Sequence, residues 1–129
     1  MKLLVAGSRD ICKYRAFFEF MKESYRRNWP DKVSELVTGG CPTGADQVPF
    51  LMEEAVGRMS SAISLFKADW QKHGRSAGPL RNQKMAAYAD ELFLIWDGRS
   101  NGSRNMKEEM VRRGKPVQEV IIKESKHAK

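Results

Sequence analysis

Several short stretches of this chain bring glycines, hydroxyls and charged side chains together in a spacing that can grip an anion. The fullest is Val37-Thr38-Gly39-Gly40-Cys41-Pro42-Thr43-Gly44-Ala45-Asp46, which leaves an apolar segment, crosses three glycines and ends where a helix should begin. Glycine lets a backbone turn at positive φ or come close to a ligand. A strand that feeds a helix through such a turn leaves amide N–H groups pointing outward, a natural seat for an anion. A tight structural turn uses the same residue types, so the motif gains weight only from its neighbours. Those are Gly7-Ser8-Arg9, Asp69-Trp70, and Asp97-Gly98 with Ser100, Gly102 and Ser103.

Each of these residues has two readings. Ser8 caps a helix or bonds a phosphate oxygen. Arg9 is an exposed charge or a bidentate partner for phosphate or carboxylate. Asp46 would repel a phosphate and would occupy the amides that one needs. It is therefore expected to cap a helix or hold ribose hydroxyls, with phosphate nearer Gly39, Gly40 or the Ser103 turn. Arg81 and Asn82, in the first turns of a predicted helix, lean toward the same edge or face solvent. Trp70 stacks on a base or covers the core, and Trp96 reads as core.

The absent motifs narrow the chemistry. No GK[ST] follows the glycines, so a Walker-type NTPase is not expected. The first βα turn is Gly-Ser-Arg rather than GxGxxG, and no serine sits in a GxSxG elbow. Cys12 and Cys41 have no CxxC or Cys/His metal spacing, and His73 and His127 are isolated. No metal and no cofactor is expected, and the cysteines read as reduced in a cytoplasmic protein. No apolar run is long enough to span a membrane, and Met1–Val5 is too short for a signal-peptide core. A net charge of +7 directs attention to anionic partners. The basic residues are scattered, however, which is also the pattern of solvated helix ends.

The elements that position these residues follow from periodicity. With 129 residues, 41% hydrophobic and 30% charged, the chain reads as one domain over residues 1–122 with a basic tail over 123–129. Lys2–Ala6 is a short apolar strand. Tyr14, Phe17, Phe18, Met21 and Tyr25 fall on one face of a first helix, closed by Asn28 and Pro30. Glu35–Thr38 is the second strand. A second helix is expected to start at Asp46, with Pro49 in its first turn and Val48, Met52, Ala55, Val56 and Met59 as its buried stripe. Ala62–Phe66 is the third strand, and 68–76 its long exit loop. A third helix runs from about Gly78 or Pro79 to Ala89. Leu92–Trp96 reads as a strand at the sheet centre. Ser103 or Asn105 caps a fourth helix, the latter in a capping box with Glu108, and Val117–Ile122 is the fifth strand. This alternation predicts an α/β domain with a parallel sheet. Ligands of such sheets bind beyond the carboxyl ends of the strands, and every loop placed there is polar in this chain.

Taken together, Gly7-Ser8-Arg9, Gly39-Gly40 with Gly44-Ala45-Asp46, Ala68-Asp69-Trp70 with Gly74, Ala77-Gly78-Pro79 with Arg81-Asn82 and Met85, and Asp97-Gly98 with Ser100 and Gly102 resemble the YspA-like branch of the SLOG superfamily. That superfamily is named for the DNA-processing protein A (Smf) and the Lonely-guy phosphoribohydrolases. The resemblance implies a Rossmann-like three-layer domain, a central strand order of 3-2-1-4-5 and a site for nucleotides or nucleotide-derived ligands. It makes Gly7, Ser8, Arg9, Gly39, Gly40, Asp46, Arg81, Asn82, Asp97, Ser100 and Gly102 the ligand-site candidates. It also implies self-association, hence a homo-oligomer. Lonely-guy enzymes cleave the bond between base and ribose monophosphate with a glutamate in a GTxxE helix start. Here the counterpart is Gly102-Ser103-Arg104-Asn105-Met106, with Met106 in place of the glutamate. An N-glycosidic hydrolase built on this chain would draw its acid or base from Asp46 or Asp97, with Asp69 a further carboxylate.

The expectation is therefore a domain that binds a nucleotide or nucleotide-sugar ligand of the ADP-ribose type, as a sensor, a sequestering domain or an N-glycosidic hydrolase. The alternative is a nucleic-acid-binding module that uses the basic surface. That module would lose affinity steeply with salt.

Overall fold

A computed structural model describes residues 1–56 and 62–123 of the chain. Five strands, β1 (Lys2–Gly7), β2 (Glu35–Thr38), β3 (Ala62–Leu65), β4 (Glu91–Trp96) and β5 (Val117–Ile121), form one sheet in the order β3-β2-β1-β4-β5. Every pairing is parallel. The expected α/β class, Rossmann-like architecture and strand order are all present. Met59 of the predicted second-helix stripe and residues 124–129 of the predicted tail lie outside the described residues, as does the Val56 side chain.

The sheet is apolar on both faces because helices cover both. Side chains along a strand alternate between faces. Leu3, Val5, Phe93 and Ile95 pack on one side with α1 (Lys13–Arg27), α2 (Trp29–Lys32) and α3 (Val48–Val56). Leu4, Ala6, Leu92, Leu94 and Trp96 pack on the other with α5 (Ala77–Tyr88) and α6 (Asn101–Arg112). This double burial explains why β1 and β4 read as unbroken apolar runs. An aromatic trio fastens the first layer: the Trp29 ring stands 5.7 Å from Phe20 and 5.3 Å from Phe93. Trp96 is core, as expected, and its indole N–H donates to Glu119 at 2.6 Å. No helix among the described residues is long and apolar enough to cross a membrane.

Several local expectations are corrected. Of the predicted α1 face, Tyr14, Phe18, Met21 and Tyr25 point outward while Phe17 packs against the core, and the buried residues are Ala16, Glu19, Phe20 and Ser24. Small side chains at 16 and 24 let the helix lie close to the sheet, where Phe20 and Trp29 fill the space. The second helix does not begin on Asp46. A 3-10 turn over Gly44–Gln47 precedes α3, and Ala55 is exposed. The predicted loop over 68–76 contains a short helix, α4 (Trp70–His73), and a 3-10 turn, Gly74–Ser76. Helix α6 begins earlier than Ser103 or Asn105, with Ser100 at its N-cap position, so both residues lie inside the helix and no capping box forms.

One lysine closes the far end of α5. Lys115 Nζ donates to the carbonyls of Ala86, Ala87 and Ala89 at 2.7, 3.0 and 2.6 Å. It thus satisfies acceptors that a helix C-terminus leaves open, with the charge its dipole favours. Lys115→Met should therefore lower stability by about 1–2 kcal/mol, read as a shifted urea midpoint with an unchanged m-value.

Candidate functional site

The strand order reverses between β1 and β4, and a crevice opens beyond the carboxyl ends of these two strands. A cavity of about 320 Å³ occupies it. Its walls come from the β1 exit (Gly7, Ser8, Arg9, Asp10), the β2 turn (Cys41, Asp46), the start of α5 (Arg81, Asn82) and the start of α6 (Ser100 to Ser103). Ala6, Met85 and Met106 supply its apolar surface. The size is at the lower end of small-ligand sites, and the mix of a few polar groups with an apolar floor is their usual composition.

Close backbone approach builds the crevice. A Cβ on Gly7 would lie 1.7 Å from the Ile95 carbonyl oxygen, so only glycine lets the ends of β1 and β4 meet. Gly44, at φ +77°, would place a Cβ 2.3 Å from the Ser8 carbonyl oxygen. Ser8 itself is buried and does not cap α1. Its hydroxyl lies 2.9 Å from Ser100 Oγ and accepts from the Asp97 amide at 3.1 Å, which ties the β1 exit to the β4 exit.

The glycine turn after β2 proves internally satisfied. The Gly40 amide donates to Thr38 Oγ1 at 3.2 Å and the Cys41 amide to the Asp46 carboxylate at 3.0 Å. Gly39 and Gly40 do not line the cavity, contrary to the expected phosphate seat. Gly39 instead makes room for Arg81, whose Nη1 would stand 2.4 Å from a Cβ there and donates to the Gly39 carbonyl at 3.1 Å. Arg81 Nε donates to Asn82 Oδ1 at 3.1 Å, and Asn82 Nδ2 in turn reaches Asn105 Oδ1 at 2.9 Å and the Gly102 carbonyl at 3.3 Å. Buried Asn82 thereby orients the arginine and joins α5 to α6. Arg81 lines the cavity, and its remaining N–H donors have no partner among the described residues.

The start of α6 is the most open polar wall. Asn101, Gly102 and Ser103 occupy its first turn, where helical N–H groups lack intrahelical acceptors, and no acceptor for these amides appears among the described residues. Ser103 is 4% exposed, and its Oγ is a buried side-chain polar atom without a hydrogen-bond partner. A buried hydroxyl left unpaired costs free energy unless something bonds it. This turn is shaped by Asp97, whose carboxylate accepts from the Arg99 and Ser100 amides at 2.8 and 2.9 Å. Burial raises the Asp97 pKa, but those amides and the Ser8 hydroxyl outweigh it, so the net shift is downward.

Asp97 is therefore held off the cavity, and its carboxylate serves the loop. Asp69 also lies elsewhere: it caps α4 by accepting from the Lys72 amide at 3.1 Å. Trp70 is 58% exposed and packs beside Gly78 rather than over the cavity. Among the candidates, Gly7, Ser8, Arg9, Asp46, Arg81, Asn82, Ser100, Gly102 and Ser103 converge on the cavity, whereas Gly39, Gly40, Gly44, Asp69, Trp70 and Asp97 do not line it. Sequence reasoning missed Asp10, Cys41 and Asn101. Cys41 stood inside the glycine motif, and its position there was the available signal. Among the described residues, no group of three or more His, Cys, Asp or Glu could hold a metal ion.

Asp46 is the buried acid of the site. Its pKa is raised, chiefly by burial, against smaller opposing effects of the Cys41 amide and the Arg81 charge. Folding thus favours its neutral form. The stability this contributes is present at acid pH and is lost as pH rises from the ordinary carboxyl range through the raised folded-state value. Asp46→Asn keeps an acceptor for the Cys41 amide and removes the buried charge. Wild type should lose stability relative to this variant as pH rises above the ordinary carboxyl range, a difference that paired denaturation curves measure directly.

Comparison places the chain among known proteins. It is 41% identical over 119 residues to the Gene 61 protein of Mycobacterium phage D29, spanning 90% of this chain and 93% of that protein. The chain belongs to the Gene 61 protein family. No family model matches it, and no solved structure does. For a member of the Gene 61 family, the assignment of chemistry thus rests on the cavity itself.

Proposed function

We propose that the chain binds a nucleotide or nucleotide-derived ligand, of the nucleotide-sugar or ADP-ribose type, in this cavity. The observation that carries the reading is the buried, unpartnered Ser103 hydroxyl on the open first turn of α6. A helix start offers free amides and a favourable dipole to a phosphate, and the serine hydroxyl on the same turn adds a fourth donor. Arg9 and Arg81 supply the countercharge. Asp46 takes ribose hydroxyls, which need an acceptor and tolerate a neutral acid. Met85 and Met106 lie under the ligand's less polar part. The resemblance to the YspA-like SLOG branch, read from motif order, supports the same ligand class, and the two isolated cysteines, read as reduced, support a cytoplasmic setting.

The same geometry favours binding as a sensor or sequestering domain over cleavage by a Lonely-guy-type glutamate. Met106 lines the cavity where an acid would be needed. Asp46 is the carboxyl group with a raised pKa facing the ligand, so any N-glycosidic hydrolysis would use it as proton donor. A thermal-shift panel of mononucleotides, NAD, ADP-ribose, cyclic nucleotides and single-stranded DNA tests the reading. A phosphate-bearing nucleotide at a hundredfold its Kd should stabilise by about 2.7 kcal/mol. A shift with DNA alone, diminishing steeply with salt, would replace this reading with the nucleic-acid one.

A further inference from the structure

The cavity places a buried carboxyl beside the cations an anion would use, without joining them. Asp46 is 8% exposed and lines the cavity with Arg9, Arg81 and the first turn of α6. Its Oδ2 accepts from the Cys41 amide at 3.0 Å. A Cβ on Gly39 would lie 3.1 Å from that oxygen and 2.4 Å from Arg81 Nη1, so acid and guanidinium approach each other across this glycine. No ion pair links them among the described residues: Arg81 donates instead to the Gly39 carbonyl and to Asn82. We propose that filling of this cavity by a phosphate-bearing nucleotide is coupled to uptake of one proton by Asp46. On the reading that the cavity binds such a ligand, the site is thereby regulated: it fills more readily as pH falls and empties as pH rises.

The reason is electrostatic. Two negative charges within a recess of about 320 Å³ repel strongly when one of them is withdrawn from water. Arg81 is the charge that reaches Asp46, and a phosphate that engages Arg81 draws it away. The carboxylate is then left buried and uncompensated, which is costly, and a proton is the smallest remedy. The protonated acid keeps an oxygen for the Cys41 amide and gains an O–H that donates to a ligand oxygen. Repulsion becomes a hydrogen bond. Burial already holds the Asp46 pKa above the ordinary carboxyl value, and a bound anion raises it further. A group whose pKa rises on binding takes up a proton. Affinity is therefore greatest below the free-protein value and declines with pH until the bound-state value is passed.

The surrounding groups leave this role to Asp46. Arg9 and Arg81 are cations of the cavity wall, and Asp10 is an exposed acid at its β1 rim. The Cys41 thiol lies 3.8 Å from Thr43 Oγ1. Asp97, beyond Ser8, is turned to the Arg99 and Ser100 amides, and its pKa is lowered. On α1, Glu19 is held by Arg15 and Lys22, Lys13 lies over the Tyr14 ring and Cys12 is exposed. Glu53 and Glu54 of α3 are exposed, and Arg104 of α6 reaches the Gly98 carbonyl. His73 lies on α4, outside the cavity.

Calorimetric titration of the full chain with ADP-ribose, repeated in buffers of different ionisation enthalpy, counts the protons directly. ADP-ribose is the suitable probe because it lacks the phosphomonoester ionisation near about pH 6. The wild type should take up as much as one proton per bound ADP-ribose, with affinity falling by up to about tenfold per pH unit through that range. Asp46→Asn should bind without uptake and with affinity independent of pH, whereas Asp10→Asn should retain the wild-type slope. Wild-type binding at constant affinity and without uptake overturns the coupling and leaves the proposed function standing. Uptake that survives Asp46→Asn, or vanishes in Asp10→Asn, assigns the proton to another group and overturns it equally. Absence of ADP-ribose binding at every pH is instead a failure of the proposed function, and the coupling falls with it.

Discussion

Gly7→Ala is expected to cost the fold at least about 3 kcal/mol, at the upper end of what overpacking does. The added Cβ would lie 1.7 Å from the Ile95 carbonyl oxygen, 2.7 Å from its carbon and 2.9 Å from Ala45 Cβ. Two of these atoms are backbone of the neighbouring strand, so no side chain can rotate away. Relief requires that β1 and β4 separate, which strains the Ser8 amide bond to the same carbonyl, now 3.2 Å long. Both strands are central to the core, and the loss extends to both layers. The urea midpoint should fall by more than about 1 M. Gly102→Ala is the control: a Cβ there meets nothing within 4 Å, and alanine is the better helix former by up to about 1 kcal/mol. A wild-type midpoint for Gly7→Ala would mean that β1 and β4 do not approach as described.

The second large effect concerns binding. Arg81→Ala should weaken affinity for a phosphate-bearing nucleotide by about 10- to 100-fold, the range of a lost charge-assisted hydrogen bond of 1.5–3 kcal/mol. The arginine is fixed at one edge by Asn82 and at the other by the Gly39 carbonyl, so its charge is delivered to the cavity in a set orientation. Arg81→Lys should not restore affinity, because an ammonium cannot span both acceptors and still face a ligand. Arg112→Ala serves as the comparison, since that arginine is bound to Glu109 on α6, outside the cavity. Equal affinities for the Arg81 and Arg112 variants would remove Arg81 from the site.

What the sequence made legible, and what it did not, follows from where the information lies. β1 and β4 were readable because burial on both faces leaves an unbroken apolar run. The face of α1 was not, because the helix carries two stripes and periodicity does not say which one meets the sheet. The bulkier stripe turned out to face solvent, since the space against the sheet suits Ala16 and Ser24. The convergence of Ser8, Arg9, Arg81 and Ser103 was legible from topology alone. The role of Asp46 was half legible: the 3-10 turn directs its carboxylate back to the Cys41 amide rather than onto a helix end. The start of α6 was obscured by Asn101 and Gly102, both weak helix formers. Asp97 sets that start from outside the helix, which no residue-by-residue propensity records.

In the proposed function the cavity recognises the phosphate of a nucleotide at the first turn of α6. Calorimetric titration of the wild type and of Gly102→Leu with AMP, ADP-ribose and adenosine tests it most directly. Leucine at 102 has open space to enter, so it should occupy the phosphate seat without lowering the melting temperature. The wild type should bind a phosphate-bearing nucleotide saturably, with adenosine weaker by at least about tenfold, and Gly102→Leu should lose binding. Adenosine binding as tightly as its phosphorylated forms, or full nucleotide affinity in Gly102→Leu, would contradict it.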